Sequence, residues 1–466
     1  MTSNNLSKLQ RNVIVILTLS ASFLSVLMQF LLITAFPKIM SEFQVNSTEV
    51  QWLTTSFMLT SAILIPITAY FIDTFQTRTI MITAMSLFFI GTFIGLIAPS
   101  FPILLIGRII QGIGSGIMIP LMQTILFLVY PKQRRGYAMG LAGMVINVAP
   151  AIGPPLSGVL IKYFKWRSLF LLTLPIAGLL LILVILFMRN VTKQRSSEID
   201  ILSILLSIIG FGGTLYGFNK LQEVGIDSLE TFGSLIIGVI AITLFIRRQL
   251  RIETPVLEVR VLKVPIFSLV SMIAVLGFSL LIAIETILPM YVQNAQQHSA
   301  YYSGLIVMPG ALTLAVMSYL AGRLFDKYGS KNIAIIGFMV LSLSALGFYF
   351  LLELDTPFIL PMTLFATSMG GVALINMPTM TAGINALPDD LIAHGTSVIN
   401  TIRQFGGTLG LTFIISFISS AEAGSPVINP HDYLMGVKTA FFVSFVVAII
   451  GLGLSFFIEK KDSMRQ

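Results

Sequence analysis

Long apolar runs recur along the whole of this chain, and polar residues divide them into fourteen segments. An apolar helix of about 20 residues crosses the roughly 30 Å hydrocarbon core of a bilayer. A water-soluble fold could not bury this much apolar surface, because 56% of the residues are hydrophobic and only 10% are charged, against about half and a quarter in soluble domains. The chain is therefore predicted to be an all-α integral membrane protein with fourteen spans.

The basic residues are distributed unevenly between the two sets of connecting loops. Of the 28 Lys and Arg residues, twenty fall in the termini and in the loops after even-numbered spans, six fall on the opposite side, and Arg108 and Arg403 fall within spans. Because Lys and Arg concentrate in cytoplasmic loops, both termini are predicted to be cytoplasmic, in the plasma membrane of a cell that is expected to be bacterial. This asymmetry accounts for the formal charge of +8, and no basic face indicates a nucleic-acid partner.

Residue types that several kinds of chemistry require are missing or scattered. The chain has no cysteine, which excludes disulfides and thiolate metal sites. His298, His394 and His431 fall near predicted helix ends without a second ligand at metal spacing, so solvated loop residues are expected and no metal is predicted. No convergent nucleophile, acid pair or nucleotide-binding loop is found, so the chain is not predicted to be an enzyme. The first apolar run lacks a small-residue cleavage site and predicts a retained first span.

The chain contains an internal repeat. After the second span, Asp73 is followed five residues later by the base Arg78. The same pattern recurs 253 positions later, where Asp326 is followed by Lys331. Repeats of this kind are common in transporters built from two related halves. The predicted organisation is an N-terminal six-helix bundle, a two-helix insert with its linker, and a C-terminal six-helix bundle: 1–189, 190–263 and 264–466.

Several longer motifs occur in order along the chain. The second copy of the repeat follows the pattern G-x-L-x-D-R/K-x-G-x-K/R at Gly322, Leu324, Asp326, Lys327, Gly329 and Lys331. The first copy is degraded: it keeps Asp73 and Arg78 but has Ala69, Thr74 and Gln76 at the Gly, basic and second Gly positions. Span four follows R-x-x-Q-G-x-G, at Arg108, Gln111, Gly112 and Gly114. Span five has a variant of G-P-x-x-G-P-x-L-G-G followed by W-R, at Ala149, Pro150, Gly153, Pro154, Leu156, Gly158, Trp166 and Arg167.

Together these motifs resemble the major facilitator superfamily, in particular its fourteen-span drug/proton antiporter branch, over nearly the whole chain. The resemblance implies two six-helix bundles with two additional central helices, and export by alternating access. It also implies that the repeated loops take part in the switch between inward and outward states. Pro150, Pro154 and Pro155 should bend span five, and two interpretations of the bend stay open: a further moving part of this switch, or a rigid element. The residues given a role in the switch are Asp73, Arg78, Asp326, Lys327, Lys331, Gly153 and Pro154. Each Asp is expected to cap a neighbouring helix or to pair with the following base; the alternative is a solvated loop charge, which suits Asp73 better than Asp326.

Three ionisable residues lie well inside predicted spans: Glu285, Arg108 and Arg403. Such groups are costly in a membrane and usually face the bundle interior or an aqueous cavity. Glu285 is predicted to alternate between protonated and ionised forms, and Arg108 to stabilise its ionised form in one conformation. The alternatives are that Glu285 reaches the outer headgroups and that Arg108 is held by helix carbonyls. Arg403 is expected to serve packing or helix capping, with substrate contact as its alternative. The branch usually has an Asp in span one where this chain has Met28, which leaves proton, sodium or uncoupled transport open.

Polar and aromatic residues within spans are candidates for contact with a substrate. They are Gln29, Phe30, Phe57, Gln111, Asn147, Tyr291, Asn376 and Asn400. The 22 Met and 35 Phe residues suit an adaptable cavity for bulky apolar ligands. Three pairs of glycines spaced four apart predict close helix contacts: Gly112 and Gly116, Gly136 and Gly140, and Gly406 and Gly410.

The function predicted from these observations is proton-coupled multidrug efflux of amphiphilic or cationic compounds. The expected partners are those small molecules, protons and membrane lipids; no cofactor is expected beyond the proton gradient, and a monomer is expected. Two alternatives stay open: a dedicated exporter of one metabolite, lipid or siderophore, and a membrane sensor that does not transport.

Overall fold

The computed structural model describes residues 7–192, 194, 200–224, 228–422 and 429–458, except the side chains at 222–224, 300–301 and 419–422. Fourteen helical segments are long and apolar enough to cross a membrane, which confirms the predicted number of spans. No strand occurs in these described ranges. Five of the basic residues counted for orientation lie outside the described residues: Lys193, Arg195, Lys460, Lys461 and Arg465.

The described residues form fifteen α-helices, because a short 3₁₀ turn, Ile33–Ala35, divides the first span in two. The helices before the insert are α1 Lys8–Leu31, α2 Phe36–Phe43, α3 Ser47–Thr74, α4 Thr77–Ile97, α5 Phe101–Val129, α6 Arg135–Tyr163 and α7 Ser168–Phe187. The insert consists of α8 Ile201–Val224 and α9 Leu229–Gln249. The remaining helices are α10 Pro265–Met290, α11 Ala300–Tyr328, α12 Ser330–Leu351, α13 Ile359–Asn385, α14 Ile392–Glu422 and α15 Pro430–Ser455. A π-helical turn, Tyr291–Ala295, extends α10.

Local sequence explains where several helices begin. Ser7 and Gln10 form a capping box at the start of α1, and Asn46 and Glu49 form one at the start of α3. In each box the two side chains satisfy amides that have no carbonyl partner within the helix. Between α11 and α12, Gly329 has a φ of 76°, a left-handed conformation that glycine adopts without steric cost.

The chain forms two compact units. Unit 1 comprises Met1–Pro131, Val148–Arg260 and Asp389–Thr401; within it α4 packs on α5 and α7, and α3 packs on α5 and α8. Unit 2 comprises Lys132–Asn147, Val261–Pro388 and Ile402–Gln466; within it α13 packs on α10, α11 and α12, and α12 packs on α15. Helices α6 and α14 each contribute residues to both units, and the predicted boundaries near 189 and 263 stay a prediction.

The paired glycines lie at close helix contacts, as predicted. A Cβ at Gly116 would lie 2.5 Å from the Ser61 carbonyl oxygen of α3, and one at Gly140 would lie 2.8 Å from the Ser318 carbonyl oxygen of α11. Gly406 lies against Val275 of α10. Glycine is required at these places because a side chain would separate the helices.

Candidate functional site

Asp326, near the end of α11, accepts hydrogen bonds from the first turn of α6. Its Oδ1 accepts from the Gly136 amide at 2.8 Å and its Oδ2 accepts from the Tyr137 amide at 2.7 Å. Amides in a first helical turn have no partner within their own helix, and a carboxylate there also interacts favourably with the helix dipole. Asp326 therefore caps a neighbouring helix within unit 2, which is one of the two arrangements expected of it; its role in switching stays a prediction.

Asp73, the equivalent residue at the end of α3, binds a side chain instead of a helix terminus. Its Oδ2 lies 3.0 Å from Nε2 of His394, and Nδ1 of the same ring accepts a hydrogen bond from the Glu258 amide at 3.0 Å. His394 is 5% exposed, so the prediction that it is a solvated loop residue is wrong for this histidine. No local pattern indicated this contact, because Asp73 and His394 are separated by 321 positions.

The bases that follow the two Asp residues donate to backbone carbonyls. Arg78 donates through Nη2 to the Ile185 carbonyl at 2.5 Å, and Lys331 donates to the Phe456 carbonyl at 2.6 Å. The Lys327 ammonium lies 5.0 Å from the centroid of the Tyr328 ring. Arg78 and Lys331 thus each place a positive charge at the C-terminal end of another helix, where it is favourable.

Arg108 is fully buried in unit 1. Its Nε donates to the Leu53 carbonyl at 2.9 Å, its Nη1 donates to Gln111 Oε1 at 2.9 Å, and its guanidinium carbon lies 4.4 Å from the centroid of the Phe57 ring. Gln111 in turn donates to Thr92 Oγ1 at 2.8 Å. The structure thus joins three predicted site residues in one cluster. Within the described residues, the Nη2 of Arg108 is buried without a hydrogen bond.

Glu285 lies five residues before the end of α10 and is partly exposed. Within the part of the chain that the structure describes, it has no hydrogen bond and no ion pair. On the same helix Phe278 and Ile282 contact Gly407 of α14, and Glu285 continues this row one turn further along α10. The guanidinium carbon of Arg403, also on α14, lies 4.7 Å from the centroid of the Phe278 ring. Unit 2 therefore has an acid and a base on one helix seam, separated by about 10 Å along the axis.

The other candidate substrate contacts are mostly engaged with protein groups. Asn147 donates to Ser318 Oγ at 3.1 Å, and the Tyr291 hydroxyl donates to the Glu353 carbonyl at 2.6 Å. Asn400 donates to Gln123 Oε1 at 2.6 Å. The buried Oδ1 of Asn376 has no hydrogen bond among the described residues, and Gln29 and Phe30 are half-buried. A Cβ at Gly153 would lie 2.9 Å from that of Phe30, so Gly153 lets α6 approach α1.

Met28, at the position of the usual first-span Asp, is fully buried. Its sulfur accepts a hydrogen bond from Thr173 Oγ1 at 3.6 Å. A thioether is a weak acceptor that carries no charge. This position therefore contributes packing to unit 1 and no titratable group.

The W-R pair after span five has a structural explanation that the sequence did not indicate. Trp166 donates through Nε1 to Glu42 Oε2 at 2.6 Å, and Arg167 forms an ion pair with the same carboxylate. Arg167 also donates to the Ala98 carbonyl at 2.7 Å and stacks on the Trp166 ring at 4.3 Å. The pair joins the connections around α2, α4 and α7 on one face of unit 1.

Comparison with known proteins tests the family that the motifs indicate. The profile of the Major Facilitator Superfamily matches residues 18–411. The chain belongs to this superfamily. A major facilitator superfamily transporter of Bacillus subtilis, "Uncharacterized MFS-type transporter YcnB", is 48% identical over 97% of this chain and 95% of its own length. "Lincomycin resistance protein LmrB" of Listeria monocytogenes is 35% identical over 95% of each chain.

A solved facilitator structure confirms the fold. The crystal structure of the human organic anion transporter MFSD10 (TETRAN) superposes with a TM-score of 0.69, covering 96% of this chain and 99% of its own, at 13% identity. At this identity the likeness concerns the fold alone. Within the described ranges, no group of three or more His, Asp or Glu side chains is placed to hold a metal ion.

Proposed function

We propose that this facilitator is a proton-coupled antiporter that exports amphiphilic, often cationic, compounds, including antibiotics. The observation that carries the proposal is Glu285, an acidic side chain inside a span without a hydrogen bond or ion pair among the described residues. A carboxyl group without a fixed counter-ion is free to bind a proton or a cationic substrate in turn, which is what exchange requires. The 35% identity to proteins named for lincomycin resistance supports drugs as substrates.

Glu285 is the coupling acid in this proposal. A proton from outside would occupy it during the return step, and arrival of a cation from the cytoplasmic side would displace that proton. Arg108 contributes a fixed positive charge in the other half of the transporter. Because Met28 replaces the usual first-span acid, the proposal assigns coupling to Glu285, the acid that lies well inside a predicted span.

The transporter is proposed to act in the plasma membrane with both termini in the cytoplasm. The excess of basic residues in the loops after even-numbered spans supports this orientation. Export then requires that substrate enter from the side on which Asp73 and Asp326 lie.

The test is transport by purified protein in proteoliposomes with an imposed pH gradient. Efflux of ethidium, a fluorescent lipophilic cation, and of lincomycin is measured for the wild type, for Glu285→Gln and for Glu253→Gln. Glu253 is an exposed residue of the linker after α9 and serves as the matched control. We expect gradient-driven efflux in the wild type and the control, and efflux by Glu285→Gln no faster than after collapse of the gradient.

Each other outcome identifies a different mechanism. Full transport by Glu285→Gln would remove Glu285 as the coupling acid. Transport driven by a sodium gradient and indifferent to pH would replace the proton as coupling ion. Wild-type protein that folds but moves neither probe would favour the dedicated exporter or the sensor over multidrug efflux.

A further inference from the structure

The linker after the insert makes two hydrogen bonds through adjacent amides that reach different parts of unit 1. The Leu257 amide donates to Oε1 of Gln249, the last residue of α9, at 3.2 Å. The next amide, that of Glu258, donates to Nδ1 of His394 at 3.0 Å. Leu257 and its neighbour Val256 are 3% and 1% exposed, so this part of the linker is packed into the unit.

The insert end of this connection is firmly held. Asp200 accepts two hydrogen bonds from Arg248, at 2.8 and 3.0 Å, and Arg248 holds the pKa of Asp200 down to about 2. Ser203 donates to the same carboxylate and accepts from Gln249 Nε2 at 2.6 Å. The side chain that receives the Leu257 amide is therefore fixed by a network joining α8 and α9, and such networks rigidify the groups that they connect.

The other end of the connection is the ring of His394. Because Nδ1 accepts the Glu258 amide, Nδ1 carries no hydrogen and Nε2 carries the one that faces Asp73. Both ring nitrogens are thus used, one toward the linker and one toward the loop between α3 and α4. His394 belongs to the segment Asp389–Thr401, which is part of unit 1.

We propose that His394 is a positioning residue that couples the two-helix insert to Asp73 and the loop between α3 and α4, and that protonation of its ring releases the linker. The inference rests on the proposed alternating access, in which the Asp73 loop takes part. A protonated imidazole has two N–H donors, so Nδ1 can no longer accept from the Glu258 amide, while Nε2 continues to donate to Asp73. Acidification on the side where Asp73 lies, which is predicted to be cytoplasmic, would therefore free the linker and leave the contact between Asp73 and His394 intact.

The charges around the ring favour the linker as the part that moves. Asp73 faces Nε2 at 3.0 Å, and a protonated ring keeps the hydrogen with which Nε2 donates to it. The Glu258 carboxylate is turned toward Arg260, whose amide and Nη1 donate to it at 3.1 and 3.2 Å. Arg78 lies at the start of α4, and Asp389 and Asp390 precede α14. The other charged side chains that the structure describes on the elements next to the ring lie further along the chain from the contacts with His394: Glu49 on α3, Arg251, Glu253 and Lys263 in the linker, and Arg403 on α14.

The test measures release of the linker directly and does not depend on transport. The chain has no cysteine, so Val256→Cys introduces a single buried thiol on the linker and Glu253→Cys introduces a matched exposed thiol. Their rates of reaction with a water-soluble maleimide are compared in purified protein between pH 8 and pH 5.5. Dividing the rate at position 256 by that at position 253 removes the pH dependence of the thiol chemistry itself.

We expect this ratio to rise about two- to tenfold as the pH falls, the range expected for loss of one intramolecular hydrogen bond. In His394→Gln, whose amide can both donate and accept but does not titrate, the ratio should stay low at every pH. In His394→Phe, which keeps the ring without its nitrogens, it should be high at every pH.

Two results would overturn the proposal. A ratio that does not change with pH in the His394 background excludes release by protonation, and this measurement needs no variant at position 394. If at pH 8 the ratio in His394→Phe equals that of the parent, His394 does not hold the linker in place. If ethidium and lincomycin efflux fail while the expected labelling pattern appears, the proposed function is wrong and the role of His394 in holding the linker stands. If efflux occurs as expected while the labelling pattern is absent, the proposed function stands and the role of His394 is wrong.

Discussion

Two ionisable residues inside the spans have opposite surroundings. Arg108 is enclosed by a carbonyl, an amide oxygen and an aromatic ring, whereas Glu285 has no hydrogen bond or ion pair within the described chain. A buried charge is tolerated when hydrogen bonds replace its hydration. An uncompensated carboxyl in a span is tolerated most easily when it is protonated or in contact with water. The arginine is thus built into unit 1, and the glutamate is left available.

Arg108→Lys tests how much the planar guanidinium group of Arg108 contributes to the stability of the protein. Lysine keeps the charge but cannot donate to Leu53 and Gln111 in the same planar geometry, and it loses the stacking on Phe57. We expect a loss of about 1.5–3 kcal/mol in the free energy of unfolding, the range for hydrogen bonds to a charged group, measured by thermal unfolding in detergent.

The control for this substitution is Arg251→Lys, at an exposed position in the linker. It should leave the unfolding midpoint unchanged. If Arg108→Lys is as stable as the wild type, the carbonyl and amide contacts contribute little. Arg108 would then be retained for transport rather than for packing.

At the scale of the helices, α6 and α11 approach each other closely at glycine residues of both helices. A Cβ at Gly322 would lie 2.7 Å from the Cα of Gly140, and one at Gly136 would lie 2.5 Å from the Phe325 ring and 2.6 Å from the Gly322 carbonyl oxygen. Such close approach is what lets Asp326 reach the first amides of α6. The glycines and the capping carboxylate are therefore parts of one arrangement.

Gly322→Ala is expected to separate α6 from α11. The new methyl group would meet the Gly136 backbone, which cannot move aside as a flexible side chain can, and overpacking of this kind costs about 1–3 kcal/mol. We expect a lower unfolding midpoint and slower efflux. Gly304→Ala, on the same helix with nothing within 4 Å of the added atom, should neither lower the midpoint nor slow efflux, since alanine is the better helix former; equal behaviour of the two variants would contradict a close helix contact.

At the scale of the whole molecule, fourteen spans place both termini on one side of the membrane. The fold does not by itself say which side this is, because a helix bundle can be inserted in either direction. The distribution of Lys and Arg predicts that both termini are cytoplasmic, since Lys and Arg are in excess in cytoplasmic loops.

The orientation can be measured with single cysteines, because the parent chain has none. Asp355→Cys and Gln76→Cys place exposed thiols in loops on opposite sides. In intact cells we expect an impermeant maleimide to label position 355 and to label position 76 only after permeabilisation. Labelling of position 76 alone in intact cells would reverse the predicted orientation.

The number of spans, the superfamily and the glycine contacts were all predictable from the sequence. Hydropathy and length determine whether a segment spans, because each helix must satisfy its own backbone in lipid. Glycines four residues apart share one helix face, so Gly136 and Gly140 indicated a contact even though their partner, Gly322, could not be identified.

The partners of the charged side chains were decided only by the tertiary structure. The repeat predicted equivalent roles for Asp73 and Asp326, yet one binds an imidazole and the other binds two amides. His394 was predicted to be solvated because it falls near a predicted helix end and has no second ligand at metal spacing. Its burial depends on α3 and the linker, which are distant in sequence, and helical periodicity carries no information about which distant element will pack against a given face.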